Sequence, residues 1–182
     1  MTPINILEKE HKVILMVISG AEREARRIRD ENGLDMQRTA RMIDFFRHFI
    51  AACHHAKEEE HLFVRLSERN LPDGSGLMEE LAGEHREGSA LIDRLEQALG
   101  AVESDERGTL PAVGELLSSY AALIRRHIDK ENHILFPLAD RFLTPEENQV
   151  LIADFERIEE DEIGPGVHEK YHDLARELAE EA

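Results

Sequence analysis

"CHHAKEEEHLF", Cys53 to Phe63, sets three histidines and three glutamates between apolar residues. In a helix, residues four apart stack on one face. His54 and Glu58 therefore continue a row that begins with Met42, Phe46 and Ile50 and ends with Leu62, and they point inward. His55 and Glu59, turned by about 100°, are expected at the edge of that face or in water. Burying an imidazole and a carboxylate without partners costs several kcal/mol per ion. A bound cation removes that cost.

The pattern recurs. "HHAKEEEHLF" at His54 is answered by "HIDKENHILF" at His127, and "EHKVILMVI" at Glu10 by "EHREGSALI" at Glu84. His11 and His85 are 74 residues apart, while the separations His54 to His127 and Glu58 to Glu131 are both 73. Near-constant offsets across six polar positions point to two helical hairpins related by a pseudo-twofold axis.

Working outward, Ile4, Leu7, His11, Ile14, Ile18 and Ala25 form the inner row of a first helix that ends near Asn32-Gly33. The second helix is capped by Asp35 and broken by "NLPDGSG". Met78, Leu81, His85, Gly88, Ile92, Leu95 and Leu99 line a third, and the chain loosens through "GAVESDERGTLP". Leu116, Tyr120, Leu123, His127, Glu131, Ile134 and Leu138 line a fourth. The expectation is an all-α fold, an antiparallel up-down four-helix bundle over 1–143 with two further helices in 144–182 packed on it. Thr144 and Pro145 open the first of these, and "GPG" precedes the last.

Composition agrees: 182 residues, few aromatics and no Trp suit one helical domain. A formal net charge of -17 repels nucleic acid and anionic lipid, so neither is expected as a partner. No apolar stretch of about eighteen residues and no basic-then-apolar leader occurs, which predicts a soluble cytoplasmic protein. Cys53 is the only cysteine, so a metal here must be held by His and Asp/Glu.

Four histidines and two glutamates fit a dinuclear site. Each metal receives two nitrogens and two bridging carboxylate oxygens, an oxo or hydroxo bridge supplies a fifth ligand, and a sixth position stays open for a small molecule. Such a set suits iron or manganese better than structural zinc.

These residues and spacings, from about 4 to 142, closely resemble the hemerythrin-like, HHE cation-binding family. The resemblance implies a four-helix bundle holding a non-haem di-iron centre that binds or processes O2, NO or peroxide, with His11, His54, Glu58, His85, His127 and Glu131 as ligands. The third and fourth helices depart from the oxygen carriers: Ser89 follows His85 by four, and the fourth helix carries H-x-x-x-E. That is more similar to the di-iron proteins linked to nitrosative stress and iron-sulfur repair, or to iron sensing. A peroxide- or NO-processing activity served by a redox partner therefore stands beside a non-catalytic iron sensor or delivery module.

Other residues have narrower readings. His61 lies three residues after Glu58 but matches Ile134 in the repeat, which favours a partly exposed position over a ligand. His168 and Tyr171 share a face of the last helix, either packing there or reaching an open metal position. Gly88 and Ser89 either leave a pocket beside one metal or allow close helix packing, and Cys53 reads as a small buried apolar residue. A ferritin-like site using E-x-x-H pairs at Glu8/His11, Glu58/His61 and Glu169/His172 is a weaker alternative, because the last pair lies outside the repeat.

Overall fold

The first helix, α1 (Pro3–Glu31), begins where the Thr2 hydroxyl accepts the Asn5 N–H and the Asn5 side chain accepts the Thr2 N–H. Pro3 sits in the first turn, where no N–H is needed. It stops at Asn32, whose N–H still bonds the Ile28 carbonyl and whose left-handed backbone (φ 52°) turns the Gly33 N–H back onto the Arg27 carbonyl. Helix α2 covers residues 36–67. Asp35 caps it through the Arg38 N–H, and it runs from Met36–Phe45 through the wider π turns Phe46–His54 and Lys57–Leu62 into Phe63–Ser67. Helix α3 is Gly74–Glu103. Helix α4 covers 110–142, as Leu110–Lys130, the π turn Glu131–Leu135 and Phe136–Phe142. Helix α5 (Pro145–Ile158) passes into a π turn, Glu159–Ile163, and α6 is Val167–Glu180.

This computed structural model describes residues 1–69, 74–104, 108–164 and 167–180, with the backbone alone at 74–75, 162–163, 168–169 and 179–180. No strand occurs among them. Helix α3 is already under way at Gly74, inside the expected break, and persists to Glu103, inside the expected loosening; 70–73 and 105–107 lie outside the described residues.

The fold is all-α. In it α1 packs on α4 and α2, and α3 on α4 and α2, so the two hairpins face one another. Helix α6 lies along α1, and α5 lies against α2 and α1. Two apolar layers result. One is built around Ile14, Ile18, Phe46, Ile50, Ile92 and Tyr120, and α6 adds Tyr171, Leu174 and Leu178 to it. The other contains Leu7, Leu62, Leu81, Leu135 and Phe136, and α5 adds Leu151 and Phe155. Burying each large apolar side chain stabilises by roughly 1.5–3 kcal/mol, which holds in place the polar layer between them.

One part of the expected inner row of α4 is corrected. Ile134 is 48% exposed and Leu135 is buried instead. The Phe136 N–H bonds the Glu131 carbonyl, five residues back, and this wider turn shifts the helix register by one.

Candidate metal centre

Each helix of the bundle contributes to the polar layer at the point where its apolar row crosses from one core to the other. His11, His54, Glu58, His85, His127 and Glu131 are all buried there. His11 Nε2 and His54 Nε2 face each other at 3.0 Å, and His85 Nε2 and His127 Nε2 at 2.9 Å. Glu58 spans the two pairs, with Oε1 3.5 Å from His54 Nε2 and Oε2 3.5 Å from His85 Nε2. Glu131 spans them from the opposite hairpin, with Oε2 3.1 Å from His11 Nε2 and Oε1 3.1 Å from His127 Nε2.

The far side of every ring is tied to an acceptor. His54 Nδ1 donates to Glu10 (2.7 Å), His85 Nδ1 to Glu59 (2.6 Å), His127 Nδ1 to Glu84 (3.0 Å) and His11 Nδ1 to the Asn132 side-chain oxygen (2.8 Å). Carboxylate and amide oxygens only accept, so each Nε2 carries a lone pair directed at the centre in the neutral ring. Lys57, fully buried, bonds Glu10 and also Glu159 of the π turn that follows α5 (2.6 Å to the latter). Its counterpart Lys130 bonds Glu84 (2.7 Å) and Glu80. The repeat thus extends to the residues that orient the rings: Glu10 matches Glu84, Lys57 matches Lys130, and Glu59 matches Asn132.

The electrostatics are those of a site short of positive charge. All four oxygens of Glu58 and Glu131 are buried without a hydrogen bond of good geometry among the described residues. Burial and the neighbouring Glu131 charge push the Glu58 carboxyl well above its ordinary range. Burial opposes ionisation of Glu131 too, but His127 and His11 outweigh it and hold that carboxyl low. Burial brings His54 down to about 4 and lowers His85. His127 is raised, because Glu131 and Glu84 overcome its burial. The donor set fits metal binding: two groups, His11/His54/Glu58/Glu131 and His55/Glu58/His85/His127, each bring ligand atoms within 4.8 Å of one another.

His55 is the residue misplaced by the sequence reading. It is 5% exposed and stacks on His85, because the π turn ending at His54 narrows the rotation between neighbours and turns both rings inward. Glu59, expected at the edge or in water, is half-exposed but holds the His85 ring. His61 falls outside both groups and faces Asp154 of α5 at 3.3 Å. Tyr171 lies in the upper core against Phe45 and Phe49, with its hydroxyl donating to Asp44 at 3.2 Å, and not at the centre. The side chain of His168 lies outside the described residues. Ser89 lines a cavity beside His55 and His85, whereas Gly88 faces Tyr120 and Leu123 on α4. Cys53 is buried, and burial pushes its thiol up to about 12. Glu8, needed by the ferritin-like alternative, is exposed.

No helix among the described residues is long and apolar enough to cross a membrane. No curated protein and no solved structure matches the chain. The hemerythrin HHE cation binding domain, in contrast, matches residues 2–139. With that match spanning the repeat and the polar layer it encloses, the chain belongs to the hemerythrin HHE cation-binding domain family of metal-binding proteins.

Proposed function

We propose that the protein is a non-haem di-iron protein whose centre reacts with O2, NO or peroxide. The observation that carries this reading is the convergence of four imidazole Nε2 atoms and four unbonded carboxylate oxygens on one buried layer. His11 and His54 would hold one metal and His85 and His127 the other, each with one oxygen from Glu58 and one from Glu131. No thiolate joins the set, and mixed nitrogen and oxygen donors at this number favour iron over structural zinc. A bound iron pair supplies one-electron redox steps and an exchangeable position for a small ligand.

The chain's own part is to keep that chemistry contained. Glu10, Glu59, Glu84 and Asn132 fix the tautomer and direction of the four rings. Two apolar layers exclude bulk water from above and below. Glu58 and Glu131 each reach toward both histidine pairs, so the carboxylates can keep two metals together while their charge changes.

The test is an optical spectrum of the iron-loaded chain before and after stoichiometric peroxide and, separately, NO. Near-ultraviolet bands that respond to either support the redox reading. Iron that raises thermal stability but gives no response to either reagent supports the sensor or delivery reading instead.

A further inference from the structure

The two ends of the centre differ, and the difference lies outside the six repeated residues. Beside His11 and His54, Lys57 is fully buried between Glu10 and Glu159, so the π turn that follows α5 closes that side. Beside His85 and His127, the matching Lys130 is partly exposed, its side chain 26% accessible. On that side a cavity of about 310 Å³ opens between α2 and α3, lined by Ala51, His55, Glu59, His85 and Ser89. His55 stands at the position where the second hairpin has Ile128, so the repeat is broken at the residue between the cavity and the second metal position.

The ring geometry separates two roles for His55. Its centroid is 3.7 Å from that of His85, with the planes 10° from parallel, and it meets His127 edge-on at 5.5 Å. An imidazole ligates along a lone pair in its own plane, about 2.1 Å from the metal. Two near-parallel rings 3.7 Å apart cannot both place one ion in their planes at that distance. With His85 pointing at the centre, His55 in this position is no ligand, yet its nitrogen stays within 4.8 Å of the ligand atoms of Glu58, His85 and His127.

We infer that the metal position formed by His85 and His127 is the one that takes an exogenous small anion or diatomic molecule, admitted through the Ala51–Ser89 cavity and hydrogen-bonded by His55. This rests on the di-iron reading above. Glycine at 88 has no share in it, since that position faces α4.

The experiment uses the full chain loaded with ferric iron and titrated with azide, followed by its optical charge-transfer band, with iron per chain measured in the same samples. His55→Leu is expected to keep two irons per chain and to bind azide at least tenfold more weakly. His55→Gln, which retains an N–H, is expected to recover most of that loss. Ser89→Leu, which fills the cavity mouth, is expected to slow azide association at least tenfold, and it decides the matter should the His55 variants fail to fold. Unchanged azide binding in His55→Leu, or unchanged association in Ser89→Leu, overturns the inference and leaves the di-iron reading standing. So does loss of one iron in a folded His55→Leu protein, which would make the ring a ligand, and so does a wild-type iron pair that binds no azide. A wild-type chain that takes up no iron pair overturns both.

Discussion

Glu10 shows how much of the centre is decided one atom away from it. Burial alone would raise its pKa, but the His54 Nδ1–H and the Lys57 ammonium hold it at about 2, so it stays a carboxylate that fixes the ring's tautomer. Glu10→Gln keeps the shape and removes the charge. It should weaken metal binding by about 10–100-fold, read by competition with a chelator; an unchanged affinity would make Glu10 a packing residue only. Cys53 offers a second check. With its thiol pushed up to about 12 by burial, it should resist iodoacetamide at pH 8 until the chain is unfolded. Among single residues, the six central ones were legible because they sit in apolar rows. Glu10 and Lys57 were not, since each is one residue off such a row, although their partners Glu84 and Lys130 at the same offsets were visible signals.

The helices themselves were legible from period and caps, and the limits of that reading lie in the π turns. A rule of 100° per residue sends His55 to the edge and Ile134 to the core, and both are placed the other way round. The Phe63 N–H bonds the Glu58 carbonyl just as the Phe136 N–H bonds that of Glu131, so both hairpins widen immediately after their glutamate. Nothing in residue composition marks such a turn. The register makes a sharp contrast: Ile134→Glu should change stability by no more than about 0.5 kcal/mol, whereas Leu135→Ala should cost about 2–5 kcal/mol, both by denaturant titration. Equal effects would place Ile134 inside after all. At α5, Thr144 and Glu147 form a reciprocal cap and Glu147 also pairs with Arg69, just beyond the end of α2. Thr144→Ala should cost about 1 kcal/mol. The Arg69 pairing and the Thr144 N–H hold Glu147 at about 2 against an ordinary 4.5. Its contribution is therefore present above pH 4.5 and lost as pH falls toward 2, and Glu147→Gln should remove that part of the acid sensitivity of unfolding.

At the scale of the molecule, a -17 chain carries a buried layer of carboxylates and imidazoles between two apolar cores, with α6 contributing to one and α5 to the other. Metal bound only by the folded state stabilises it by mass action, about 4 kcal/mol at a thousandfold excess over the dissociation constant. For a chain of this size that is a rise of roughly 10 °C in Tm, which a chelator should reverse. Which small molecule the centre meets was not legible, because the residues that separate its two ends, His55, Ser89 and Glu159, are not among the six repeated residues that identify it. The most direct measurement is Mössbauer spectroscopy of the chain loaded with ⁵⁷Fe, together with iron analysis. Two irons per chain, magnetically coupled through shared bridges in the oxidised form, is the predicted result. A single uncoupled iron per chain, or none retained, would contradict a paired centre built by Glu58 and Glu131.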